Sequence, residues 1–345
     1  MCTNGNNAAK TITTTGGGTL AKIRVGMIRC DLHAIYYANI IQRHDPLVLR
    51  ELQFGKGGYF YFYTEYLEQK KIMIPRVAGF EVTKLWDENR AAAEEMSAIY
   101  YGKPKVCDSL DEVSDDVDLV FIADCDEDGH DHLEFATPGL KKRVPTFVDK
   151  PLAYEVKDAR AIVRLAKRYD TPVMSLSILR ALPHVSRFRA RFKEIGPVEF
   201  GITKGGNATT MASHIHAISL AQHLFGAGVE AVEAMGQTPL AYVHLDYGGK
   251  PNRPAAGVVL NCAVGGTPHC AMYASAYSSH GVIHSPALGD FEFPYGCVEI
   301  LKRIKKMVHT GKPQAPYEEM LEGIAIATAA RLAQKEKRRV YLKEV

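Results

Sequence analysis

The feature that most restricts this chain is the alternation of short apolar runs with amphipathic helical stretches through its first half. Residues 117–123 (VDLVFIA), 145–148 (PTFV) and 172–176 (PVMSL) are near-continuously apolar, as strands buried on both faces are. Upstream, residues 22–28 (KIRVGMI) and 80–86 (FEVTKLW) alternate apolar and polar side chains, the period of a strand. Between these runs, Ala91, Ala92, Met96 and Ile99, and then Val156, Ala159, Ile162, Val163 and Ala166, recur at helical spacing. Strands alternating with helices make βαβ units, so the pattern predicts an α/β fold with a mostly parallel sheet covered on both faces.

After about residue 195 the rhythm changes. Residues 198–203, 255–264 and 269–276 read as longer strands, with one helix at 213–225. This is the α+β pattern of a large, mostly antiparallel open sheet. A closing helix places Tyr317, Met320, Leu321, Ile324, Ala325, Thr328 and Leu332 on one face, followed by the basic run KEKRR, a solvated and dipole-favoured helix end. The expected organisation is therefore a polar, disordered leader at 1–20, a parallel-sheet domain at 21–152, and an α+β domain at 153–345 whose last helix packs back on the first.

One segment is oversized. Roughly 50 residues separate the first two strands, where a βαβ connection needs about 25. The insertion, about 46–78, carries Phe54, Tyr59, Phe60, Tyr61, Phe62, Tyr63 and Tyr66. A hydrophobic hairpin on its own domain, a subunit contact and a wall of a substrate pocket all suit such a cluster.

Composition removes several partner classes. The chain has 345 residues, 42 Lys+Arg against 39 Asp+Glu and a net charge of +3, too little for a polyanion-binding protein, so nucleic acid is not expected. Its sequence has no apolar stretch approaching the ~18 residues needed to cross a bilayer. Seven scattered cysteines without a CxxC pair suggest free thiols in a reducing, cytoplasmic setting rather than disulfides or structural zinc.

The order of parts resembles the glucose-fructose oxidoreductase / inositol dehydrogenase / MocA family. The resemblance runs from about residue 22 to the end. It is carried by the 117–123 strand, then His132, then Val148-Asp-Lys-Pro151 with Leu152 and Ala153, where the family has Glu-Lys-Pro at the same spacing. Arg180 with Pro183, Gly196-Pro197-Val198, His216 ahead of Leu224-Phe-Gly226, and Gly311-Lys-Pro313 extend it. What it implies is an N-terminal Rossmann domain binding NAD, a C-terminal open sheet carrying a carbohydrate-like small-molecule substrate, and homo-oligomers formed through that sheet.

The dinucleotide fingerprint departs from the family. Where G-x-G-x-x-G is expected after the first strand, which closes on Ile28, the chain reads Arg29-Cys-Asp-Leu-His-Ala34. Asp31 would bring a carboxylate to the helix end where a pyrophosphate should lie, and Arg29 offers a charge to offset it. Asp87, ending the second strand, is placed to accept hydrogen bonds from ribose hydroxyls and favours NAD over NADP; a helix N-cap is its other reading. The loop from Asp124 to His130 is acidic, suited to a hydroxyl-rich substrate or a cation; its spacing fits no EF-hand, and no metal is expected. With His132 and Lys150, these positions complete the candidate cofactor set.

The resemblance gives Lys150 the role of sharing a hydrogen bond with the reacting hydroxyl and moving its proton, a task that suits a desolvated lysine. His216 is the matching base. The acid that the family places one turn earlier is Ala212 here, and His214 is the candidate to replace it. His214 and His216 with a distant acid are also a possible metal pair. Arg180 and His223 are candidates for substrate contact; Arg180 reads equally well as a structural ion-pair partner. The expectation is an NAD(P)-dependent oxidoreductase of a sugar, polyol or related cyclic hydroxyl compound. A non-redox carbohydrate-active enzyme, metal-assisted or not, and an inactive sensor on the same fold are the alternatives.

Overall fold

The computed structural model describes residues 21–65, 76–124, 128–205, 211–238, 240–263 and 271–345. The expected leader at 1–20, Tyr66 and the strand start at His269-Cys270 lie outside the described residues.

The apolar runs become a six-stranded parallel sheet: β1 (Ile23–Ile28), β2 (Phe80–Trp86), β3 (Lys105–Val106), β4 (Leu119–Ile122), β5 (Thr146–Val148) and β6 (Val173–Met174), in the order β3-β2-β1-β4-β5-β6. This is the doubly wound order in which connections leave β1 and β4 toward opposite faces. Every residue of β4 and β5 is buried, as the absence of polar alternation in those runs requires. Helices Leu32–Ile41, Arg90–Ile99, His132–Lys141 and Val156–Arg168 return the chain between strands. The first two start on a side-chain cap, Asp31 and Asn89 respectively. Because β6 follows the helix Val156–Arg168 and pairs with β5, the first sheet continues past the expected boundary at residue 152.

The second sheet runs β12-β11-β7-β10-β9-β8-β14, from β7 (Phe200–Lys204), β8 (Ala231–Met235), β9 (Tyr242–Asp246), β10 (Val258–Asn261), β11 (Ala271–Ser278), β12 (Gly281–His284) and β14 (Val340–Tyr341), while the short β13 (Leu288–Gly289) pairs with β11. Pairing is antiparallel except between β7 and β10. Helices Met211–Phe225 and Tyr317–Glu336 cover one face. The other stays open: Val243 and Leu245 are buried, while their neighbour Tyr242 is exposed, as are Tyr273 and Met235.

The last helix also reaches the first sheet. The Tyr317 hydroxyl accepts from the Val173 N–H at 3.4 Å, and the Arg331 guanidinium lies 4.1 Å above the Tyr154 ring. The basic run beyond it is not simply solvated. Arg338 pairs with Glu336 and Glu344, and Arg339 with Glu233 and Asp246, which ties β14 to β8 and β9. The aromatic insertion is helical rather than a hairpin, with helices Pro46–Glu51 and Lys56–Phe60 and a wider π-turn at Tyr61–Glu65. Its rings pack on their own domain: Tyr61 and Phe62 lie 5.9 and 5.2 Å from Tyr36, and Tyr59 stacks on Tyr63.

Gly26 in β1 is where sheet and covering helix approach most closely. A Cβ there would lie 2.1 Å from the Val113 carbonyl oxygen. Gly26→Ala is expected to cost about 1–3 kcal/mol of stability, read as a lower urea midpoint. An unchanged midpoint would show that the helix Leu110–Val113 yields freely.

Candidate functional site

In a parallel sheet every strand delivers its last residue to the same edge, and a crevice opens there between β1 and β4. Arg29 follows β1, Asp87 follows β2, Asp124 follows β4, Asp149 and Lys150 follow β5, and Ser175–Ser177 follow β6. The candidates therefore meet because of the topology, although they lie far apart in sequence.

The turn after β1 keeps the backbone path of a glycine turn without the glycine. Arg29 adopts φ 68°, a conformation that costs a side chain roughly 1–2 kcal/mol. Its guanidinium lies 5.0 Å above the Phe135 ring, pairs with Asp131, and reaches Glu88 at 3.4 Å. Burial disfavours the charge, yet Asp131, Glu88 and Asp124 outweigh it and hold Arg29 above its ordinary range. Arg29 Nε is buried without a hydrogen-bond partner among the described residues.

Asp31 sits where the sequence placed it, on the first helix N-terminus. Its Oδ1 accepts from the backbone N–H groups of His33 at 2.8 Å and Ala34 at 3.3 Å, so two amides that a pyrophosphate could use already hold an internal carboxylate. Asp87 accepts from Cys30 N–H at 2.7 Å and Asn89 N–H at 2.8 Å. It does not cap the next helix; Asn89 does. A carboxylate has about four acceptor sites, so Asp87 retains capacity for ribose hydroxyls. Ile28 is fully buried and its carbonyl takes the Ala123 N–H, so it acts through packing.

His132 is completely buried. Its Nδ1 lies 2.8 Å from the Pro151 carbonyl and its Nε2 lies 3.0 Å from Asp124 Oδ2. A carbonyl only accepts, so Nδ1 is the donor to Pro151. His132 thus braces the loop after β4 against the turn at Lys150-Pro151. Asp124, Asp131 and His132 are the one group among the described residues with metal-ligating atoms drawn together. The cation seen there is the Arg29 guanidinium, on Asp131. Cys125, Asp126 and Glu127 of the acidic loop lie outside the described residues.

Asp149 is 2% exposed. It accepts from Lys150 N–H at 2.8 Å and Asp124 N–H at 3.4 Å, and its Oδ2 lies 2.5 Å from His33 Nδ1. Burial works against its charge, but His33, Lys150 and the hydrogen bonds prevail and keep its pKa below the usual carboxylate value. Lys150 is 5% exposed and lines a small cleft, with Ser177, Arg180 and Glu319 among its polar lining and Leu152, Ile215 and Met320 among its apolar lining.

His216 Nδ1 lies 2.7 Å from Ser177 Oγ, which also accepts the Leu179 N–H. Burial, then the charges of Lys150 and His33, push His216 well below the ordinary imidazole value, so it is neutral at pH 7. His214, on the same helix, is 3% exposed; the metal-capable group does not include this pair. Arg180 pairs with Glu319 and donates to Gln222 Oε1 at 3.3 Å. Burial and the neighbouring Arg303 and Arg189 lower it to about 10. His223 Nε2 lies 3.1 Å from Ser186 Oγ, and burial with Arg180, Arg189 and Arg303 lowers it to about 4. Sequence reasoning passed over His33 and Ser177. His33 lies inside the altered fingerprint and Ser177 precedes a helical turn, so a titratable residue and a cap at those places were the available signals.

Residues 54–176 match the model of the GFO_IDH_MocA family, described as an oxidoreductase family with an NAD-binding Rossmann fold. That match bears out the resemblance, and with it the oxidoreductase and NAD-binding class of the matched stretch; it begins after β1 and the turn carrying Arg29 and Asp31. No curated protein matches the chain significantly. Among solved structures, a putative myo-inositol dehydrogenase from Sinorhizobium meliloti aligns at 14% identity, covering 93% of this chain and 100% of that one, with a TM-score of 0.68. Apo scyllo-inositol dehydrogenase from Lactobacillus casei aligns at 12% identity over 94% and 100%, TM-score 0.70. An oxidoreductase from Agrobacterium radiobacter, in complex with NAD+, L-tartaric acid and magnesium, aligns at 14% identity over 94% and 99%, TM-score 0.67. At these identities the likeness is one of fold.

His44 is also lowered to about 4, chiefly by burial. For His44, His216 and His223 the folded pKa lies below the unfolded value near 6.5, so below pH 6.5 the unfolded chain binds protons that the folded chain refuses. Stability is expected to fall between pH 7 and pH 4, with urea midpoints stepping down over that range. His223→Gln should flatten part of the slope.

Proposed function

We propose that this chain is an NAD-dependent oxidoreductase of the matched family's type, acting on a hydroxyl of a polyol, sugar or related cyclic compound. The observation that carries the reading is Lys150: a buried ammonium at the carboxyl end of β5, lining a cleft beside the Ser177–His216 pair. The residues at the crevice fit a dinucleotide in altered form. Asp87 would hold the ribose and disfavour a 2′-phosphate, while Arg29, with its buried Nε, would offer the pyrophosphate the positive charge that Asp31 removes from the helix end. When bound, the nicotinamide supplies the hydride acceptor.

Within the cleft, Lys150 donates a hydrogen bond to the reacting hydroxyl oxygen and stabilises charge developing there. Neutral His216 accepts the hydroxyl proton at Nε2 while its Nδ1–H donates to Ser177 Oγ. Arg180, fixed by Glu319, orients the substrate's other hydroxyls. A homo-oligomer formed through the open sheet face, with Tyr242 and Tyr273, and a reducing cytoplasmic setting for the buried thiols Cys30, Cys107, Cys262 and Cys297 belong to the same proposal. The capping of the helix end by Asp31 favours the alternative, a non-redox enzyme on this fold.

Calorimetric titration with NAD, NADH, NADP and NADPH separates the two. Expected is binding with NAD preferred over NADP, weakened about tenfold by Arg29→Ala and tightened by Asp31→Asn, as about 1.4 kcal/mol per charge contact implies. Absence of binding by both the native chain and Asp31→Asn would sink the oxidoreductase reading. With a panel of inositols and aldoses, Lys150→Met and His216→Ala should each lower kcat by about 10²–10⁴-fold.

A further inference from the structure

The candidate site occupies the carboxyl edge of the first sheet. The opposite, amino edge gathers the starts of strands and the ends of the helices that feed them. Lys22 precedes β1, Gly79 precedes β2, Arg43 follows the helix Leu32–Ile41, and Lys103 follows the helix Arg90–Ile99. With Arg76 they bound a cavity of about 610 Å³, within the roughly 300–1,000 Å³ that small-molecule sites occupy. It shares no lining residue with the cleft at Lys150. The helix Leu32–Ile41 separates its cavity end from its Asp31 end by ten residues, about 15 Å at the helical rise.

Backbone bonds fix the floor of this cavity. Val77 N–H donates to the Ile40 carbonyl at 3.1 Å, Ile23 N–H to the Gly79 carbonyl at 2.9 Å, and Val82 N–H to Gln42 Oε1 at 3.0 Å. Phe80, Val82 and Tyr100, all buried, give it apolar walls. The Tyr101 ring is exposed and pinned by its hydroxyl, which donates to the His44 carbonyl at 2.8 Å.

Charge sets the class of ligand. Lys22, Arg43, Arg76 and Lys103 line the cavity against a single acid, Glu81, which Lys22 meets at 3.5 Å. Arg43, Arg76 and Lys103 pair with no carboxylate among the described residues. The excess in this one cavity equals the net +3 of the whole chain. A hollow of about 450 Å³ adjoins it through Arg76 and Ala78 and adds Lys305 and Lys302, the latter paired with Glu299. Concave, apolar walls concentrate such a one-signed field. A helix C-terminus ordinarily opposes an anion, but the Ala38 and Ile40 carbonyls are already taken by Gln42 and Val77 N–H.

We propose that this cavity is a second ligand site, taking a small organic phosphate ester. Arg43 and Arg76 hold the phosphate, whose oxygens match the guanidinium fork, and the organic part lies against the Tyr101 ring. The volume exceeds what a bare phosphate fills, and the walls suit an apolar or flat group. The inference does not depend on the redox reading.

The test is calorimetric titration of the full chain, without cofactor, with inorganic phosphate, a hexose phosphate and a nucleoside monophosphate. Expected is one ester bound per chain, more tightly than inorganic phosphate and more weakly as salt rises. Arg43→Gln and Arg76→Gln should each weaken it about tenfold, as loss of a charge-assisted hydrogen bond implies. Both side chains are exposed, so the melting temperature should hold. Arg191→Gln, whose guanidinium pairs with Glu194 away from the cavity, should leave binding unchanged, as should saturating NAD. Failure of both esters to bind, inorganic phosphate matching both, ester binding untouched by the two arginine variants, or competition by NAD would each overturn the inference.

Discussion

The carboxyl edge of the first sheet is organised around one buried charge, the Asp149 carboxylate. A carboxylate at 2% exposure is stable only if nearly every lone pair is met, since removing one partner from such a site costs about 3–5 kcal/mol. Here the partners come from three connections: His33 after β1, Asp124 N–H after β4, and Lys150 N–H in its own turn after β5. Satisfying Asp149 therefore fixes the relative placement of three strand ends. Lys150 inherits its position from that constraint, and His132 reinforces it by bridging Asp124 to Pro151.

A second constraint is electrostatic. A doubly wound fold ordinarily leaves a helix N-terminus open to phosphate. In this chain Asp31 covers that terminus, and positive charge is displaced onto Arg29, a side chain stacked on Phe135 and held by Asp131 and Glu88. The backbone turn survives because Arg29 accepts the left-handed conformation. The crevice keeps its backbone turn while its charge pattern is redrawn.

Much of the fold was legible from periodicity. The β2 strand falls on Phe80–Trp86 as alternation predicts, and the helix Val156–Arg168 follows the spacing of its buried residues. Two elements were not legible. The aromatic insertion gave no single period, since its rings satisfy one another and Tyr36 through helical turns broken by close-packed glycines. The basic tail read as solvated because its partners, Glu233 and Asp246, lie on strands that reach it only across the second sheet.

The sequence alone determined which residues could bear charge or move protons, and that strands would place them at one edge; apolar periodicity acts over a few residues and needs no tertiary information. Only the tertiary structure decided which of them meet. Whether Arg29 would pair with Asp31 or elsewhere, whether Arg180 would be bound by an acid, and that His33 would find Asp149 were all undetermined locally. These contacts span 102, 139 and 116 positions. Coulomb and hydrogen-bond partners are chosen by distance in space, and at such separations the topology of the sheet, not the local sequence, sets that distance.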